Sequence, residues 1–162
     1  MLTFRPVDVE TPHARVALAR YFADRAAFMP WLPADLPFPG SAEFTPPAGL
    51  FIVGLIDRGV PIDPAVVACG GIRRIPDSPT GLTRYEVKDV WVDTTIRGQG
   101  LGRQLMVELE TRARDFGCQE LVLDTHEVLE AAVAMYFALG YESVPPYNDN
   151  PHPTHWFAKV LV

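Results

Sequence analysis

Three glycines spaced two apart, in Arg97-Gly98-Gln99-Gly100-Leu101-Gly102, are the part of this sequence best suited to chemistry. Alternate positions carry no side chain, so backbone amides stand uncovered. A helical pattern follows directly, which puts those amides at a helix N-terminus where the dipole adds positive potential. A phosphate group is the natural ligand there, and Arg97 and Arg103 would add charge-assisted hydrogen bonds. Two better-known phosphate motifs are excluded. A dinucleotide fingerprint needs glycine three positions beyond Gly100, where this chain has Arg103; a Walker loop needs Gly-Lys-Ser/Thr, which is absent here. Taken alone, a glycine-rich strand–helix turn serves backbone geometry as readily as ligand binding.

Hydrophobic periodicity frames this loop. Residues 83–92 form a strand pattern that runs into it. Residues 101–116 carry apolar side chains at 101, 105, 109, 113 and 116, a helical stripe closed by Gly117. Upstream, residues 2–7 alternate as a strand, and Thr11 can cap a helix reaching to about Met29. Residues 49–56 and 65–75 are apolar β-branched runs, and Gly70-Gly71 predicts a bulge or a close backbone approach. Pro76 to Gly81 is the hairpin turn into the strand that precedes the loop. Downstream come a short buried strand at 121–123, an apolar helix at 128–139 and strands at 141–144 and 155–162. Residues 30–47 hold Pro30, Pro33, Pro37, Pro39, Pro46 and Pro47, so they form neither a long helix nor a central strand. With Trp31, Phe38 and Phe44 among them, they predict a packed lid. No repeat and no domain boundary interrupts this order. It describes a single α/β domain over residues 1–162, a mixed sheet with helices on it.

The loop and its flanks resemble a known family. R-G-Q-G-L-G after the strand E-V-K-D-V-W-V is similar to the acetyl-coenzyme A loop of the GNAT acetyltransferase superfamily, Gln/Arg-x-x-Gly-x-Gly/Ala, with Arg97, Gly100 and Gly102 at its fixed positions. Further on, A-x-x-x-Y-x-x-x-G-Y (Ala132, Tyr136, Gly140, Tyr141) resembles the family's A-x-x-x-Y-x-x-x-G-F ending. The likeness covers about Tyr85 to Tyr141. The N-terminal third shares only the order of elements, and the late P-P-Y-N-D-N-P-H-P stretch resembles a bacterial subgroup without pointing to a substrate.

This resemblance implies a mostly antiparallel sheet of six to seven strands with helices on both faces, splayed around the pantetheine of acetyl-CoA. Val90, Trp91 and Val92 would pair with pantetheine, and the amides of Gly98, Gln99, Gly100, Leu101, Gly102 and Arg103 would hold the pyrophosphate. Tyr136 would protonate the departing thiolate; otherwise it is a core tyrosine with a locally bonded hydroxyl. Glu86 stands where some members keep a general base; the alternative is a glutamate paired across the sheet. Asp89 is the competing carboxylate. By simple alternation Glu86 shares a face with Lys88, Val90 and Val92, unless a bulge resets the facing. Leu129 replaces the asparagine many members carry. The acceptor pocket would draw on the lid and the late loop, through Trp31, Phe38, His126, Tyr147, Asn148 and Asp149. Each of these has a packing or solvation role as its alternative. Cys69 is the one thiol to check as a nucleophile.

The reaction implied is direct transfer of acetyl from acetyl-CoA to a primary amine, with a small molecule as acceptor. A non-catalytic acyl-CoA sensor and a transferase acting on protein N-termini or lysines are the alternatives. Bulk properties agree. The chain has 162 residues, 48% of them apolar, and a formal net charge of −6. An acidic balance disfavours nucleic acid and anionic membranes as partners. Two cysteines make no disulfide framework, the first ten residues carry no signal-peptide pattern and no apolar run is long enough to span a bilayer, so the expected location is the cytoplasm. His152 and His155 lack supporting ligands, so no metal is expected. Homodimers are common in the family.

Overall fold

Successive residues of the strand Gly49–Ile56 point into two different interiors. Leu50 and Ile52 enter one buried cluster; Phe51, Val53 and Leu55 enter another. A strand buried on both faces needs a helical layer on each, and the computed structural model has both. It describes residues 1–33, 36–59 and 63–161. Val162, where the last strand was expected to end, lies outside them.

Seven strands are numbered along the chain: β1 (Leu2–Pro6), β2 (Gly49–Ile56), β3 (Ala65–Ile75), β4 (Arg84–Val92), β5 (Glu120–Thr125), β6 (Glu142–Val144) and β7 (His155–Val160). They form one sheet in the order β1-β2-β3-β4-β5-β7-β6. Every neighbouring pair is antiparallel except β4 and β5. The helix α1 (Pro12–Phe28) lays Ala14, Ala17 and Leu18 on one face, with Phe51, Val53, Cys69 and Trp91. On the other face α2 (Leu101–Asp115) buries Leu105, Met106, Leu109 and Ala113, and α3 (Glu130–Ala138) adds Tyr136. The mixed, mostly antiparallel sheet with helices on both faces is therefore present. No helix among the described residues is long and apolar enough to cross a membrane.

Two irregularities position the site. The first is a bulge. Pairing between β3 and β4 passes from Cys69↔Trp91 to Gly71↔Lys88, so Asp89 and Val90 together face Gly70. Asp89 takes φ 54°, a conformation few residues other than glycine tolerate but one that aspartate reaches more readily than most. The bulge lies in β4; Gly70 and Gly71 provide the close approach instead. A Cβ on Gly70 would stand 2.9 Å from Leu109, and one on Gly71 would meet the Phe44 ring. The extra residue resets the alternation. Tyr85 and Val87 face α2 before the bulge, and Val90 and Val92 face it afterwards. Glu86 therefore shares the α1 face with Trp91 and not with Val90 and Val92, which corrects the simple parity.

The second irregularity is a gap. β4 and β5 pair only at Arg84↔Glu120, Tyr85↔Leu121 and Glu86↔Val122. From Val87 onward β4 keeps β3 on one side and has no strand on the other among the described residues.

Candidate active site

A cavity of about 610 Å³ opens where β4 and β5 part. Val90, Trp91 and Val92 present the unpaired edge of β4 to it. Its floor is the loop into α2. Gly98 and Gly100 both take positive φ, 81° and 76°, and nothing lies within 4 Å of where a Cβ would stand on either. Gly100 is the N-cap of α2 and offers no side-chain hydrogen bond. The first-turn amides of Leu101, Gly102 and Arg103 have no acceptor within the helix and meet the cavity. Gly102 has a different reason to be glycine, since a Cβ there would come 3.1 Å from the Met135 sulfur. Arg97 lines the wall, donates from Nε to the Val92 carbonyl at 3.1 Å and reaches Asp24 at 3.5 Å. Of the residues expected to hold the donor, Gln99 alone does not line the cavity.

Tyr136 enters from α3. Its ring packs on Tyr141 and Phe157 at centroid distances of 5.9 and 5.8 Å. Among the described residues its hydroxyl has no hydrogen-bond partner, and the side chain borders the cavity. Burial, and then the Asp124 charge, pushes its pKa up to about 12, so at neutral pH it holds its proton. Asp89, at the bulge, lines the same cavity as Tyr136. Burial raises its carboxyl above the ordinary range, against the pull of Lys88, Arg25 and Arg73. Tyr21 of α1 borders the same space, its phenol held protonated by burial. Asp124 and Thr125 of β5 form the facing wall, with Leu129 beyond them. Sequence reasoning overlooked Asp124, Tyr21 and Lys88 as lining residues; no local pattern marks them, and only the gap brings them together.

Glu86 lies outside this cavity. It is 2% exposed and fully engaged. Its Oε1 accepts from Arg73 Nε at 2.9 Å and Nη2 at 2.8 Å, and its Oε2 accepts from the Tyr147 hydroxyl at 2.6 Å. Arg73 also binds Glu43 at 2.8 Å, in the short 3-10 turn Ser41–Phe44 of the proline-rich lid. Asn148 Nδ2 donates to Asp124 at 2.8 Å, while its Oδ1 accepts from Trp156 Nε1 at 2.9 Å. Glu86, Tyr147 and Asn148 thus tie lid, sheet and late loop together. Asp149 is exposed and has no side-chain partner among the described residues. Trp31 stands over His126 with ring centroids 5.4 Å apart, and Phe38 stacks on Phe22 at the same distance. None of these six acceptor candidates lines the large cavity. Pro37 and Pro39, flanking Phe38, line a second cavity of about 190 Å³ with Phe22, Glu43, Phe44, Arg73, Lys88 and Asp89. Cys69 is buried, its thiol donates to the Asp89 carbonyl at 3.3 Å, and burial holds its pKa well above the usual thiol value. Such a thiol is no nucleophile.

A parted pair of parallel strands, a helix start with uncovered amides below it and a buried phenol beside it thus meet at one cavity. The chain belongs to the acetyltransferase (GNAT) family, whose family model matches residues 17–141. It is 30% identical over 118 residues, 73% of this chain, to an uncharacterized N-acetyltransferase of Schizosaccharomyces pombe, and 32% identical over 95 residues, 58% of the chain, to the IAA acetyltransferase of Azospirillum brasilense. The matches span 67% and 60% of those proteins' own lengths. A solved structure from Klebsiella pneumoniae, described as an acyl-CoA N-acyltransferase, superposes with a TM-score of 0.73 at 25% identity, over 100% of this chain and 99% of that one.

The two conformational glycines are open to test. Gly100→Ala places a side chain at φ 76° and a methyl group in front of the first α2 amides. The expected result is a KM for acetyl-CoA raised about tenfold, from ~1–2 kcal/mol of backbone strain and a blocked approach. Steady-state kinetics with the acceptor held saturating checks it.

Proposed function

We propose that the protein, as a single domain over residues 1–162, transfers an acetyl group from acetyl-CoA to a primary amine of a small-molecule acceptor by direct attack. The observation that carries this reading is the parting of β4 from β5 beyond Glu86↔Val122, beside Tyr136 and above the amides of α2. The amides of Gly98 to Arg103, with Arg97, would bind the pyrophosphate. The free edge of Val90–Val92 would pair with pantetheine, and an amide there would stabilise negative charge growing on the thioester oxygen. As the carbon–nitrogen bond forms and the carbon–sulfur bond breaks, Tyr136 gives its proton to the sulfur and recovers one from the nitrogen through water.

The amine must first lose a proton, since a lysine-like amine is neutral only about once in two thousand molecules at pH 7. Of the two β4 carboxylates Asp89 suits this task. It borders both cavities, whereas Glu86 is committed to Arg73 and Tyr147. A carboxylate whose pKa burial raises is also the stronger base. Asp89→Asn is expected to lower kcat/KM about a hundredfold. The base works deprotonated, so activity of the unaltered protein falls as pH drops through the Asp89 pKa, above the ordinary carboxylate range. The variant's profile lacks that acid limb. Asparagine tolerates positive φ and removes a buried charge, so the melting temperature holds or rises.

The test of the function is thiol release from acetyl-CoA against a panel of amines, with acetylated products identified by mass spectrometry. Coenzyme binding without release for any amine would favour a non-catalytic acyl-CoA sensor. Acetylation confined to proteins in a cell lysate would favour a protein N-terminal or lysine transferase. The small second cavity under the lid supports a small acceptor instead. We place the reaction in the cytoplasm, where two buried thiols stay reduced.

A further inference from the structure

Lys88 and Asp89 are the residues common to both cavities. They are sequence neighbours on an ordinary strand, which would send them to opposite faces. The bulge at Asp89 breaks that alternation, and both residues line the donor gap and the smaller cavity. Their charges are uncommitted. Glu43 and Arg73, the other charged residues of the small cavity, pair with one another, and Arg73 also holds Glu86. Among the described residues neither Lys88 nor Asp89 makes an ion pair. Arg25 of α1 adds positive potential near Asp89 but lines neither cavity. The remaining wall of the small cavity, Phe22, Pro37, Pro39 and Phe44, is apolar.

We infer that the acceptor is a small zwitterion, an α-amino acid with an apolar side chain: its ammonium group meets Asp89, its carboxylate meets Lys88, and its side chain enters the pocket under the lid. The inference rests on the transfer reading and names its substrate class. A simple amine would engage Asp89 alone and leave Lys88 without a counter-charge from the ligand. A ligand with both charged groups on one carbon satisfies the pair. It also leaves the amine at the junction, facing the gap where Tyr136 stands. The volume of about 190 Å³ equals roughly six waters at ~30 Å³ each, room for a short side chain and not for a folded peptide chain.

The test uses alanine, valine, leucine, methionine and phenylalanine, each as free acid and as carboxamide, with the full-length protein and its Lys88→Met and Lys88→Arg variants. Thiol release gives kcat/KM, and calorimetry in the presence of coenzyme A gives binding. The expected result is a preference for the acid over the amide of about tenfold or more, the worth of a charge-assisted contact. Lys88→Met abolishes that preference by raising KM for the acid, and Lys88→Arg retains part of it. Equal use of acid and amide, or an unchanged preference in Lys88→Met, overturns the inference while leaving transfer intact. Lys88-dependent binding of the acids without thiol release upholds the site and removes the transfer reading. Absence of both binding and release overturns both.

Discussion

Replacing Tyr136 by phenylalanine is expected to lower kcat about a hundredfold, the usual worth of one positioned proton donor, with KM for acetyl-CoA little changed. The ring does the packing, against Tyr141 and Phe157, and phenylalanine preserves it. Its hydroxyl makes no bond to the described residues, so removing it leaves no buried partner stranded. A loss confined to kcat at an unaltered melting temperature is therefore the signature of proton delivery. A melting temperature lowered by several degrees, with kcat unchanged per folded molecule, would mark Tyr136 as a packing residue only.

Glu86→Ala is expected to act on stability. It strips the half-buried Arg73 of its bidentate partner and leaves the Tyr147 hydroxyl without an acceptor. Removing one member of a fully buried ion pair costs about 3–5 kcal/mol, and the loss here is smaller because Arg73 is part exposed and keeps Glu43. Urea denaturation measures that loss, and the lid and late loop, both tied to this network, loosen first. Glu86→Gln separates structure from chemistry. It keeps an acceptor for Tyr147 and loses only the charge, so kcat per folded molecule stays within about threefold if Asp89 is the base. A hundredfold fall with loss of the acid limb of the pH profile would return the role of base to Glu86.

The loop proposed to hold the donor was legible because its signal is local. Gly98, Gly100 and Gly102 announce their backbone by residue type, and the strand before them and the helix after them have clear periods. The pocket proposed for the acceptor was not. Its position depends on the bulge at Asp89, and an aspartate with positive φ leaves no mark in an alternating strand. Missing it assigns Glu86 to the wrong neighbours and hides the junction of Lys88 with Asp89. The aromatic and proline content of the lid did foretell packing, with Phe44 seated on Gly71, yet gave no sign of the Glu43–Arg73–Glu86 chain, which joins residues far apart in sequence. Asp124 lies at the end of a short strand, where only its partner's divergence exposes it. In α3, apolar on most sides, periodicity could not say which face Tyr136 takes.

Amide hydrogen exchange with and without coenzyme A tests the central claim, that the β4–β5 gap is the donor site, most directly. The predicted result is added protection at the amides of residues 90–92 and 98–103, with Gly100→Ala needing about ten times more coenzyme A to reach it. Protection elsewhere with these two segments unchanged, or none at saturating coenzyme A, would contradict it.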